Sequence, residues 1–244
     1  ITQTLPCGES LAKELLQHGA IATSCPLTIV QPLSVGSSKL QLIAQADYWV
    51  FLSAHAVRIA APHLRHRDFA PPVIAVGPST KDAILQANLC QEVHMPSEFS
   101  RFGIAQMSLL HTPSQGLAIF TGKHHSNKTP TLRQLLKPYS QTLRMVYTHQ
   151  LQACDLARQR LLALATHPDV ITVHSALQLT FLKLHGDVLP WIYDCTLCVI
   201  SETMRQEALT YGFLNPILAQ DPTPNAVLEA LITWWHDKEK PIQD

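Results

Sequence analysis

Four short stretches of this sequence place serine, threonine or glycine where an apolar run gives way to a helical pattern. They are Ser53-Ala54-His55, Gly77-Pro78-Ser79-Thr80, Ser175-Ala176 and Ser201-Glu202-Thr203. The first turn of a helix leaves backbone N–H groups with no partner inside the helix. Such a terminus attracts a carboxylate without needing a charged side chain. Serine and threonine at these places also serve as ordinary N-caps, taking up one of the N–H groups themselves. One turn alone is therefore ambiguous. Four of them, on the matching ends of two sheets, shift the set toward ligand binding.

Other side chains add less. Arg58, Lys81, Lys123 and Lys128 are candidate cations for such a ligand, although each taken singly reads as a solvated surface residue. His55 and His174 flank the two serine turns and are expected first to be packed, and only second to touch a ligand. His124-His125 invite a metal, but no carboxylate or cysteine sits at ligand spacing. Cys195 and Cys198 form one C-x-x-C with no second pair, and on a strand their side chains face opposite ways. The six cysteines (Cys7, Cys25, Cys90, Cys154, Cys195 and Cys198) lie far apart, mostly in apolar runs, and read as reduced, buried thiols. No G-x-x-x-x-G-K-[ST], G-x-G-x-x-G or G-x-S-x-G motif occurs. The expectation is an enzyme or binding protein with no metal and no cofactor.

The elements that must hold these turns follow from composition and pattern. Hydrophobic residues make up 46% of the 244 and charged residues 15%, which is a globular composition suited to two lobes. Lysine plus arginine and aspartate plus glutamate each total 18, so there is no basic excess for nucleic acid. No apolar run reaches the roughly 18–20 residues of a membrane span, and no signal peptide opens the chain. The expected location is the cytoplasm. Ile1 stands where a methionine would, so the chain is expected to begin within its first strand. Strands are predicted at 1–4, 21–30, 48–52, 73–76, 117–121, 142–149, 170–173, 196–200 and 216–219. Helices are predicted at 9–18, 54–63, 79–87, 131–137, 154–164, 176–184, 202–210 and 224–237, the last of them amphipathic and capping a core. Alternation of this kind implies an α/β fold with parallel sheets flanked by helices.

An internal duplication organises the pattern. Asp47-Tyr-Trp-Val-Phe-Leu-Ser53-Ala54 matches Asp169-Val-Ile-Thr-Val-His-Ser175-Ala176, and Val73–Thr80 matches Thr196–Thr203 at an offset only one residue longer. Earlier, the helix ending Leu-Leu-Gln-His-Gly19 has its counterpart in Leu-Leu-Lys-Pro-Tyr-Ser140. A period of this length implies two similar lobes and not a solenoid.

Over nearly its whole length the chain resembles the uroporphyrinogen-III synthase family. The resemblance rests on Gly8–Gly19, Asp47–Val57, Val76-Gly-Pro-Ser-Thr80, Val146-Tyr147, Ser175-Ala176 and Ile200-Ser-Glu-Thr203. It implies two α/β lobes joined by two extended linkers, here near 30–34 and 146–151. One lobe would combine residues 1–29 with 150–244, and the other would span 33–146. The implied substrate is hydroxymethylbilane, an open tetrapyrrole with eight carboxylates, and the resemblance implies a monomeric enzyme that takes it over from hydroxymethylbilane synthase. Water leaves its terminal hydroxymethyl group, and the last pyrrole ring attacks, fragments and recombines inverted. The protein must hold the chain so that inversion precedes simple closure. Tyr147, matching the family's linker tyrosine, is the expected proton donor or hydrogen-bond partner to the departing hydroxyl. The substrate-binding set is Ser53, Ala54, His55, Gly77, Ser79, Thr80, Lys123, Ser175, Ala176, Ser201 and Thr203.

The sequence departs from the family pattern in three places. It reads Thr2-Gln3-Thr4-Leu5-Pro6 where an arginine is usual, Gly122–Lys128 where an arginine-containing turn is common, and Ser201 where the first lobe has Gly77. Two rivals therefore stand beside the synthase: a non-catalytic two-lobed protein that binds a small anion, and a degenerate paralogue.

Overall fold

The computed structural model describes residues 1–5, 7–34, 36, 43, 45–64, 71–112, 116–123, 130–139 and 142–239. The chain divides into two compact units. One, the split unit, joins Ile1–Ile29 to Gln152–Asp244; the other, the inserted unit, is Val30–Leu151.

Helix α1 (Cys7–Gln17) and strand β1 (Thr28–Pro32) open the chain. The inserted unit continues with β2 (Tyr48–Phe51), α2 (Ala54–Leu64), β3 (Val73–Ala75), α3 (Pro78–Gln86), β4 (Val93–His94) and α4 (Arg101–Gln106). After a 3-10 turn at Ser108–Leu110 come β5 (Gly116–Lys123), α5 (Leu132–Leu136) and β6 (Thr142–Ala153). The split unit resumes with α6 (Ala157–Leu162), β7 (Val170–Val173), α7 (Ala176–Gly186), β8 (Thr196–Val199), α8 (Glu202–Thr210), β9 (Ile217–Leu218) and α9 (Pro224–Glu239).

Among the described residues the first sheet has six strands in the order β1-β6-β5-β2-β3-β4, with β2 to β6 parallel. Strand β1 runs the other way. The Leu33 N–H donates to the Thr148 carbonyl at 2.8 Å and the Cys154 N–H to the Leu27 carbonyl at 2.9 Å, so one strand advances as the other retreats. A parallel strand is covered on both faces, which is why Tyr48–Phe51 reads as an unbroken apolar run. Trp49 packs with Ala56, Val57, Ile84 and Phe120, while its neighbour Val50 packs on the other side with Ile104, Leu117 and Leu136. Burying each of these larger side chains contributes roughly 1.5–3 kcal/mol. Phe51 stacks on Phe120 with centroids 4.3 Å apart, and the Trp49 indole N–H donates to the Ile43 carbonyl at 3.2 Å.

The split unit repeats the scheme with a parallel sheet β7-β8-β9. On one face Ile171, Val173 and Leu197 meet α6, α7 and α8 through Leu161, Leu179 and Met204. On the other, Cys198 meets α1 and α9 through Leu11, Leu15, Val227 and Leu231. The apolar contact of α9 is thus made by Val227 and Leu231, while Trp235 remains 46% exposed.

Three departures from the sequence expectations stand out, and two have evident physical causes. Residues 1–4 form no regular strand, although Thr2 donates through both its N–H and its hydroxyl to the Thr172 carbonyl. The strand predicted over 21–30 begins only at Thr28, because Pro26 has no N–H to give a ladder and constrains Cys25. Helix α6 starts at Ala157 and not at Cys154, because β6 runs on to Ala153 and the Cys154 N–H continues its pairing through the Leu27 carbonyl. His124, His125, Lys128 and Ser140 lie outside the described residues.

Candidate active site

Because β2, β3, β5 and β6 run parallel, several expected site residues fall at one carboxyl edge of the inserted unit's sheet. They are the Ser53 turn, the Gly77 turn, Lys123 at the end of β5, and Tyr147, which pairs with Thr121 across the ladder. Tyr147 is 41% exposed.

The two turns differ. At the head of α2 the Ser53 hydroxyl accepts the Ala56 N–H at 3.1 Å, and its carbonyl accepts the Val57 N–H at 3.3 Å. At the head of α3 Gly77 is extended, with φ −176° and ψ −179°, and offers no side chain. Pro78 has no N–H to satisfy, and the Thr80 and Lys81 amides both donate to the Gly77 carbonyl, at 3.1 and 3.0 Å. No acceptor among the described residues takes the Ser79 amide. A side chain at 77 would start 3.3 Å from the Phe99 Cβ, so the glycine also fits a close approach. Ser79 is exposed, whereas Thr80 is 2% exposed and turns into the core.

His55 sits in the first turn of α2, its pKa lowered by burial and then by the Arg58 guanidinium. Its ring lies edge-on to that of His149, with centroids 5.8 Å apart. Sequence reasoning passed over His149. It arrives there because the β5–β6 register slips between Thr121 and Gly122, bringing His149 opposite Gly122. A Cβ on residue 122 would lie 2.8 Å from His149 Nε2, so only glycine leaves room for the ring. The Thr148 hydroxyl lies 2.8 Å from His149 Nδ1 and donates to the Thr121 carbonyl at 3.3 Å. The signal was a polar Tyr147-Thr148-His149 run inside a strand pattern. Arg58 and Lys123 are exposed, and Lys81 is half-buried.

In the split unit the corresponding edge carries Ser175 and Ser201. The Ser175 hydroxyl accepts the Gln178 N–H at 3.2 Å, and Gln178 reaches back to accept the His174 N–H at 3.0 Å. The other end of the Gln178 amide donates to the Thr28 hydroxyl at 3.3 Å. The Ser201 hydroxyl accepts the Met204 N–H at 3.3 Å. In that first turn Glu202 holds a bidentate pair with Arg205 at 2.7 and 2.8 Å and accepts from Gln206, which pulls its pKa down to about 2. Ala176 and Thr203 are exposed. Burial pushes the His174 pKa down to about 4.

Cys195 and Cys198 pack in different apolar clusters, on opposite faces of the sheet. Burial holds their thiols up, at about 11 and about 12. Among the described residues no group of histidine, cysteine, aspartate and glutamate is arranged to hold a metal ion. No described helix is long and apolar enough to cross a membrane.

The family model described as uroporphyrinogen-III synthase HemD matches residues 9–229. The chain belongs to the uroporphyrinogen-III synthase family. Its place is tetrapyrrole and haem biosynthesis, as a lyase. A search of curated proteins by sequence returned no match. Two solved uroporphyrinogen-III synthases share the fold. A mutant enzyme from Thermus thermophilus is 13% identical, with TM-score 0.58 and 95% of each chain covered. The synthetase from Helicobacter pylori is 12% identical, with TM-score 0.59 and 88% of this chain and 94% of that one covered. Within the synthase family, then, the Gly77 turn, the Ser53 turn and Tyr147 of this chain share one sheet edge, and the Ser175 and Ser201 turns share the other.

Proposed function

We propose that this chain closes hydroxymethylbilane into uroporphyrinogen III, inverting the terminal pyrrole ring, without a cofactor and as a cytoplasmic monomer. The observation that carries the proposal is the pairing, on one edge of the inserted unit's sheet, of an uncapped helix terminus at Gly77 with the partly exposed Tyr147. The first is an anchor for a carboxylate, since an N–H without a partner and the helix dipole both favour an anion there. The second is a neutral donor to the hydroxyl that departs as water.

The substrate's carboxylates are taken first by the Ser79 amide, with Lys123 and the first turn at Ser53-Ala54-His55 completing that edge. A neutral protein can bind so acidic a molecule because these contacts are dipolar. In the split unit the turns that carry Ser175, Ala176, Ser201 and Thr203 hold their own helix starts, with the Ser175 and Ser201 hydroxyls accepting the Gln178 and Met204 amides. Tyr147 supplies the proton or hydrogen bond that eases loss of water, and the anchors hold the flexible chain so that ring inversion outruns direct closure. Hand-over from hydroxymethylbilane synthase would limit the time in which the free bilane closes by itself.

The test is direct. The purified chain is mixed with freshly made hydroxymethylbilane, and the ratio of inverted to uninverted product is read by chromatography. The inverted isomer is expected to dominate, also after exhaustive dialysis against a chelator. A product mixture matching the buffer blank would refute the proposal.

A further inference from the structure

The split unit's sheet has a second edge, and its chemistry is opposite in sign. A cavity of about 420 Å³ opens at the amino ends of β7 and β8, with Cys195 and Thr196 among its lining residues. Strand β7 has four residues, so at about 3.3 Å each this cavity lies roughly 13 Å along the strand from the Ser175 turn. Its size is that of a small-molecule site. Its aromatic lining comes from Trp191, Trp234 and His167, the last stacked on Trp191 with centroids 4.5 Å apart and planes at 10°. Two carboxylates, Asp169 and Asp194, line it against a single ammonium, that of Lys238.

Lys238 shows what the cavity selects. Its Nζ lies 5.0 Å from the centroid of the Trp234 ring and 2.7 Å from Asp169 Oδ1. A cation held between an indole face and a carboxylate is a general recognition geometry for organic ammonium and guanidinium groups. The pair is exposed, at 51% and 63% of the two side chains, and an exposed pair of this kind is weak enough to be displaced. Among the described residues no cation pairs with Asp194. The field inside is negative: after burial, Asp194 and then Asp169 contribute to holding up the Cys195 thiol.

We propose that this cavity is a binding site for a small organic cation with a flat body, and that Lys238 occupies the cation position when the site is empty. The site is independent of the synthase reaction assigned to the other edge.

The probes are benzamidine and its neutral and anionic counterparts, benzamide and benzoate, titrated into the full chain while the indole N–H signals are followed by NMR. Benzamidine is expected to shift the signals of Trp191 and Trp234 and to leave that of Trp49 in place; benzamide and benzoate should bind at least tenfold more weakly. Lys238→Ala is expected to tighten benzamidine severalfold, and Asp169→Asn with Asp194→Asn to weaken it at least tenfold. An unchanged far-UV circular dichroism spectrum and Tm in the apo variants establish that each has folded. No shift with benzamidine in the wild type and in Lys238→Ala, or equal shifts with benzamide, would overturn the proposal.

Discussion

The Gly77 turn and the Ser201 turn occupy matching places in two strand-turn-helix repeats, yet they differ in what they leave available. At Ser201 a hydroxyl accepts the Met204 amide at 3.3 Å, so the helix answers part of its own need. At Gly77 there is no such side chain, and the Ser79 amide is left for something else. The inserted unit's edge also carries Tyr147, whereas at the split unit's edge Gln178 ties His174 to Thr28. Under the proposed function the difference is a division of labour: chemistry at the open edge, scaffolding at the closed one.

Substitutions can break or sharpen that division. Tyr147→Phe should have the largest effect, lowering kcat about a hundredfold while Tm stays put, since a general acid supplies roughly 10²–10⁴-fold. Wild-type kinetics in that variant would remove Tyr147 from the mechanism. Gly77→Asp places a carboxylate where the substrate's would sit and is expected to raise KM about tenfold, worth about 1.4 kcal/mol. An unchanged KM would mean that the open amide is not an anchor.

The closed edge should answer in stability and not in rate. His174 is held neutral in the fold, with a pKa of about 4 against its ordinary 6.5. As pH falls through 6.5 the unfolded chain takes up a proton that the folded chain refuses until about 4. Stability is therefore full above that window and declines within it, by up to about 1.4 kcal/mol per pH unit. Urea unfolding at a series of pH values should show the slope, and His174→Gln should flatten it. Smallest are Ser175→Ala and Ser201→Ala, each expected to cost about 1 kcal/mol as a lost cap, with kcat/KM holding at the wild-type value. A large fall in kcat/KM from either would erase the contrast between the edges.

The same contrast marks where the sequence was legible. Strand β7 and helix α8 were read residue for residue, because β-branched apolar runs and serine-led helix starts state their own ends. Helix α4, Arg101-Phe-Gly-Ile-Ala-Gln106, was missed: six residues with an internal glycine are too short to show a period. Strand β4 has two residues and no pattern at all. At the candidate site the turns themselves were legible but their occupancy was not. A serine that caps its own helix and a serine that leaves amides to a ligand are the same letter, and only hydrogen-bond geometry separates them. His149 was hidden for another reason, since its place depends on a register slip that neither strand announces alone.

The split unit has a consequence for how the protein is made. Beyond the bonds they make to one another, residues 1–29 are tied to the segment past residue 151: Thr2 bonds to Thr172, and Thr28 to Gln178. A ribosome adding about 5–20 residues per second needs on the order of 6–24 seconds to pass the intervening 30–151 stretch. Throughout that interval the buried faces of Leu11 and Leu15 have no sheet to cover them, while the inserted unit can already have closed. The nascent amino-terminal segment is then a natural client for a chaperone, and slowed translation across the middle of the message would lengthen its exposure.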